Sequence, residues 1–372
     1  MAIRSGFGFL GAVVLAGLGV AALSAGCQSN TPSGGTGSVG GDGGGSTATG
    51  TGTGTTTGSG SGGNGSGGGS SSGGTGQGGG QTGACDGEAH TVQDVASGVI
   101  GAGVHVTLTG VVAMSPKFLV SQSSKTGSCL WGFFVSAPGL TETGENTGLM
   151  VVNYGTQAII PDGGTKAYCP AIGFGDDAGD KIPNDVQPGD VFDVIGTTDS
   201  YVSSSCAAEP NGASVGQIQV KNACSITKTG TAAPPKAHVF KGADIAKLAS
   251  PDDVDFHGKW GNVKVRLEGV TAKEVAAGAD GGAGGIVGDY GLVTLEEGVQ
   301  VGDKLYYQGY NKKNACHAQP MFSGKAFDFI EGISYLNFCT WDVEVSDKCG
   351  GFSPSPDDCK AAAPPVTTCV GQ

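Results

Sequence analysis

Arginine is nearly missing from this chain, occurring only at Arg4 and Arg266. Phosphate backbones are gripped by clustered Lys and Arg, and no such cluster exists here. With 33 Asp and Glu against 20 Lys and Arg, the formal net charge is −13, which argues against nucleic acid as a partner. Histidines are also scarce, at positions 90, 105, 238, 257 and 317, and no two stand in an HExxH or similar ligand spacing. No close CxxC pair offers thiolates to zinc, and no phosphate-binding glycine loop ends in Lys-Ser or Lys-Thr. No GxSxG elbow presents a serine nucleophile, and the GKW text after His257 has no partner spacing to support it. Catalytic neighbours can be distant in sequence, so these absences lower the enzyme reading without removing it. No cofactor is expected.

Glycine, by contrast, is abundant, with 72 residues, and much of it lies before residue 85. The chain opens with Arg4, the apolar run FGFLGAVVLAGLGVAAL and the small-residue site SAGCQ, the three regions of an export signal. The run from Phe7 to Leu23 is near the lower limit for spanning a bilayer and is diluted by glycines, which disfavours a retained anchor. Ala25-Gly26-Cys27 resembles the cleavage and lipidation site of bacterial lipoproteins, with residues 1–26 as the signal peptide. That resemblance implies a lipidated Cys27, a lipid bilayer as partner through that cysteine and, with Gln28 following, sorting to the outer membrane. A diacylated, N-acylated cysteine supplies more than one buried chain, the condition for stable anchoring. Residues 27–84 then form a Gly/Ser/Thr linker with no apolar side chains to repay the entropy of ordering. Its expected random-coil span is roughly 40–45 Å, enough to hold a folded head clear of headgroups.

The body from Cys85 to Gln372 has ten cysteines: Cys85, Cys129, Cys169, Cys206, Cys224, Cys316, Cys339, Cys349, Cys359 and Cys369. Setting Cys27 aside for lipid leaves this even number, so five disulfides in an oxidising compartment are the expectation. Their pairing cannot be read from sequence. The spacing of Cys339, Cys349, Cys359 and Cys369 favours a stapled tail over a metal site.

Alternation of apolar and polar residues predicts a mainly β body. GVHVTLTGVV, KFLVSQ, LWGFFVS, TGLMVVNYG and the stretch after Gly189-Asp190 read as successive strands, with GQIQVKNACSI as an edge or closing strand. AHTVQDVASGV is a short helix or loop, and Gly242 to Ala249 is the best helix candidate, with Ile245, Leu248 and Ala249 facing a core. A second unit echoes the first. WGNVKVRLEGV answers GVHVTLTGVV, GGIVGDYGLVTLEE answers the central strands, and VQVGDKLYY answers VQPGDVFDV down to the VQ-x-GD turn. FIEGISYLNFCTWDVEVSD offers strands to close it. The expected organisation is a first β domain at 85–232, a second at 233–345 and a Cys/Pro-rich tail at 346–372.

The matching text His105 to Ala113, Gly132 to Ser136 and Gly189 to Thr197 resembles the small OB-type β-barrels of exported bacterial proteins and surface lipoproteins. Val263 to Thr271, Gly291 to Leu295 and Gly302 to Gly309 repeat it more loosely. The resemblance implies two OB-like domains that bind nucleic acid or oligosaccharide, or pack against a partner. The acidic balance and the missing basic patch direct the expectation to carbohydrate, peptide or protein.

Trp131 and the group Tyr306, Tyr307 and Tyr310 beside Lys312 and Lys313 are the candidate ligand patch, the latter being the one aromatic-plus-basic neighbourhood. Core packing is the competing account of Trp131. Asp176, Asp177 and Asp180 resemble a calcium loop only loosely, lacking its spacing and closing glutamate; Asp252, Asp253 and Asp255 read as a solvated acidic turn. The function expected is a membrane-tethered binding module; a purely structural envelope lipoprotein and a hydrolase-associated domain are the alternatives.

Overall fold

The computed structural model describes residues 85–122, 128–157, 169, 180–202, 206, 216–250, 253–273, 292–307, 324–337, 339–356 and 359. All of these belong to one compact unit, Gly78–Gln372. The signal stretch, Cys27 and the linker therefore lie outside the described residues.

The class is mainly β, as the alternating stretches predict. One seven-stranded sheet contains β1 (Glu88–Ala89), β2 (His105–Ala113), β3 (Phe118–Gln122), β4 (Ser128–Ser136), β5 (Gly148–Gln157), β6 (Asp190–Tyr201) and β7 (Gln217–Thr231). Its order is β1-β2-β6-β7-β5-β4-β3, with an additional β2–β4 pairing. The stretch expected as an edge or closing strand is β7, which sits centrally between β6 and β5. Helix α1 (Val92–Ala96) is set by a capping box, Thr91 and Asp94 each bonding the other's backbone N–H.

A second sheet runs β10 (Val293–Thr294), β11 (Gln300–Gly302), β13 (Thr340–Glu344), β12 (Ala326–Asn337), β9 (Lys264–Thr271) and β8 (His238–Lys241), with β14 (Phe352–Ser353) on β12. Its helices are α2 (Ala243–Ala249), α3 (Val254–Trp260) and α4 (Lys304–Tyr307). Two expectations change here. The text VQPGD leads into the long strand β6, whereas VQVGD ends the short strand β11 and leads into α4, so the two texts do not occupy equivalent elements. Asp253 does not sit in a solvated turn, because its side chain accepts from the Phe256 N–H and starts α3.

The strands LWGFFVS and GLMVV are apolar on consecutive residues because both faces are covered. Trp131, Phe133 and Val135 of β4, with Leu149 and Val151 of β5, fill the core of the first sheet. Phe134, Met150 and Val152 point the other way and meet Leu305 of α4 and Ile333 and Tyr335 of β12. The second sheet has its own core around Phe240, Leu248, Val265, Leu267 and Val343.

Four disulfides join described cysteines: Cys85–Cys224, Cys129–Cys169, Cys206–Cys339 and Cys349–Cys359. The third ties the two sheets together and the fourth pins the tail. Cys316 and Cys369 lie outside the described residues.

Candidate functional site

The two sheets meet along a polar seam as well as an apolar one. Thr143, in the β4–β5 connection, donates from its hydroxyl to the Lys264 carbonyl at 2.6 Å and accepts from the His238 N–H at 3.0 Å. Asn146 N–H donates to the Lys259 carbonyl at 2.7 Å. Deeper, buried Gln217 donates to the side-chain oxygen of buried Asn262 at 2.6 Å, and Asn262 donates on to the Ile218 carbonyl.

At the solvent end of this seam lies a cleft of about 380 Å³, lined by Glu145 from the β4–β5 connection, His238 and Phe240 of β8, Asp244 and Lys247 of α2, and Asp253, Asp255, Phe256, Lys259 and Trp260 of α3. That volume is in the ordinary range for ligand sites. Local sequence explains the arrangement. In α2, Ile245 and Leu248 turn into the core and leave Asp244 and Lys247 outside, where they pair at 2.9 Å. In α3, Phe256 and Trp260 share the buried face one turn apart, while Asp255 and Lys259 stay exposed. The floor is an aromatic cluster: Trp260 packs on His238 with ring centroids 4.6 Å apart, edge-on against Phe240 at 4.9 Å, and Phe240 meets Phe256 at 5.6 Å.

Charge in the cleft is unbalanced. Lys247 is held by Asp244, whose hydrogen bond and charge raise the lysine pKa; Lys259 faces Glu145 at 4.0 Å. Asp253 spends one oxygen on the α3 cap, and Asp255 is exposed. Carboxylates thus outnumber ammonium groups on the lining by two.

A second polar group is buried in the interface itself. Lys304 N–H donates to Glu344 at 2.9 Å, and its Nζ lies 3.2 Å from the Tyr335 hydroxyl. Asp342 and Glu344 share the face of β13 opposite Trp341 and Val343, and both are buried. Burial drives the Asp342 carboxyl well above the usual carboxylate range and holds the Lys304 amine below its ordinary value.

Two side chains of the candidate ligand patch, those of Trp131 and Tyr306, fall within the described residues. Trp131 is 2% exposed and packs in the first core, while Tyr306 is half-buried against the second core. Trp131 is covered because its strand has apolar neighbours on both faces. Nothing is described of the Tyr307 side chain, and Tyr310, Lys312 and Lys313 lie outside the described residues. Asp180 is buried, with both carboxylate oxygens 2.9 Å from Lys117 Nζ, which also donates to Ile182 O and Asn184 Oδ1. An ammonium thus fills the place a cation would take at Asp180. Asp176 and Asp177 lie outside the described residues.

Sequence reading missed the cleft residues. The signal that could have found α3 is Asp253 followed at the third position by Phe256 and one turn later by Trp260, a capped helix with an aromatic face. Compared with known protein families, curated proteins and solved structures, the chain matches none.

Proposed function

We propose that this chain is an exported, lipid-anchored binding protein whose head consists of two fused OB-type modules, with the junction cleft as its ligand site. Four disulfides support an oxidising compartment, and the Arg4, apolar run and Cys27 pattern supports a tether at the outer membrane. The OB-type reading is supported by pairing order. In the first module, neighbours run β2, β4, β5, β7, β6 and back to β2, antiparallel except for β5–β7. In the second, they run β9, β10, β11, β13, β12 and back to β9, antiparallel except for β11–β13, with β9 and β10 touching through the Ala272–Leu295 bridge. That order supports reading each module as a five-stranded, partly open Greek-key barrel. In each module a short strand, β1 or β8, lies parallel to the first barrel strand and is followed by a helix.

The cleft carries the binding reading, because a concave space of ligand-site volume is lined by charged side chains from both modules over an aromatic cluster. The test is a panel of neutral oligosaccharides and short peptides screened by ligand-observed NMR against the chain and its Asp255→Lys variant. Hits that weaken in the variant are expected. If every hit survives the substitution, the cleft is idle and a structural envelope role gains ground.

A further inference from the structure

Resting on the cleft being the binding site, we infer that its occupant is a basic side chain, lysine or arginine, presented by an extended peptide. Charge decides between ligand classes of similar size. The two lysines on the lining already face partners, Lys247 with Asp244 and Lys259 with Glu145, and two carboxylates remain in excess. A neutral sugar fills the hydroxyl-binding capacity of those carboxylates but leaves the charge excess standing. An ammonium or guanidinium group removes it. The whole chain, at −13, draws a cationic partner toward the cleft over longer range.

The apolar part of the cleft fits the same group. Long basic side chains lay their methylenes along apolar surface while the charged head stays at the wet end. Here Phe240, Phe256 and Trp260 line the cleft, and Asp253 and Asp255 stand at the start of α3. A third observation concerns the peptide backbone. Trp260 is only 8% exposed, and its indole N–H has no hydrogen-bond acceptor among the described residues. An amide carbonyl of a peptide is one such acceptor, which an ammonium or guanidinium head is not, so the N–H engages the backbone that carries the basic side chain.

The experiment uses the exported chain labelled with 5-fluorotryptophan, whose three resonances, from Trp131, Trp260 and Trp341, are assigned with a Trp260→Phe variant. The probes are acetyl-Gly-Arg-Gly amide, its citrulline isostere, which has the same shape and no charge, and a neutral hexasaccharide. The expected result is a shift of the Trp260 resonance alone, with the arginine peptide at least about tenfold tighter than the citrulline peptide. Asp255→Asn is expected to weaken the arginine peptide about threefold, and added salt to weaken it further. Equal affinity for arginine and citrulline overturns the cationic inference and leaves the cleft as a peptide site. Binding of the hexasaccharide without the arginine peptide overturns it in favour of carbohydrate. If no probe moves Trp260, the inference and the binding reading fail together.

Discussion

His257 shows how one buried side chain makes stability depend on pH. It is 1% exposed, lies flat on Trp341 with ring centroids 5.0 Å apart, and its Nε2 is 2.6 Å from the Ser250 carbonyl, so that nitrogen carries the proton and donates. Burial lowers its pKa below 6.5, outweighing the Ser250 hydrogen bond and the Asp253 charge, which act the other way. The unfolded chain therefore takes up a proton at a higher pH than the folded one. The contribution of neutral His257 is complete above about pH 6.5, is lost as pH falls below that value, and levels off below the folded pKa. Melting temperature followed from pH 7.5 to 5 should fall more steeply in the native chain than in His257→Gln, which keeps a donor for Ser250. Parallel curves would refute the assignment. At this scale the sequence is a poor guide, since His257, Lys117 and Asp342 all carry polar groups and all are buried. Only the fold reveals that Asp180 answers the first lysine and that Tyr335 lies beside Lys304.

Secondary elements were more legible, because alternation is local and burial on two faces merely removes it. β2, β4, β5, β6 and β9 lie where the apolar text predicts, and α2 begins one residue inside its predicted range. What misled was a repeated turn sequence. Both glycines are crowded, Gly189 by the Ala232 carbonyl and Gly302 by the Glu344 carboxylate, but Gly189 alone of the two has a positive φ, +97°, and needs glycine's freedom at the mouth of β6. The same VQ-x-GD letters therefore answer two different physical demands. Gly148 shows the demand of close approach most clearly. It opens β5, and a Cβ there would run into the Asn262 carbonyl in the turn between α3 and β9. Gly148→Ala should cost about 1–3 kcal/mol by forcing the sheets apart. Gly144→Ala, four residues away with nothing within 4 Å of its added carbon, should stay within about 0.5 kcal/mol. Chemical denaturation of both variants checks the contrast, and equal effects would mean the two sheets do not hold each other as described.

For the molecule as a whole, the question is whether two similar sheets behave as two domains or one. The linker, the even cysteine number and the echo between halves are readable in the chain, and they suggest beads on a string. Contacts between the halves argue otherwise. Phe118, Phe134 and Met150 are buried by Ile333 and Tyr335, the Gln217–Asn262 hydrogen bond is sealed from water, and Cys206–Cys339 crosslinks the halves. Exposing one half would uncover apolar surface of the other and strand a buried amide, which costs roughly 1–3 kcal/mol for the amide alone. The two halves should therefore unfold together, giving one calorimetric transition in the oxidised chain. Replacing Cys206 and Cys339 by serine should lower that transition by the equivalent of about 2–4 kcal/mol without splitting it, because the apolar interface remains. Two separate transitions in the oxidised protein would defeat this view, and with it the cleft as a fixed site, since Glu145 is contributed by one half and the remaining lining by the other.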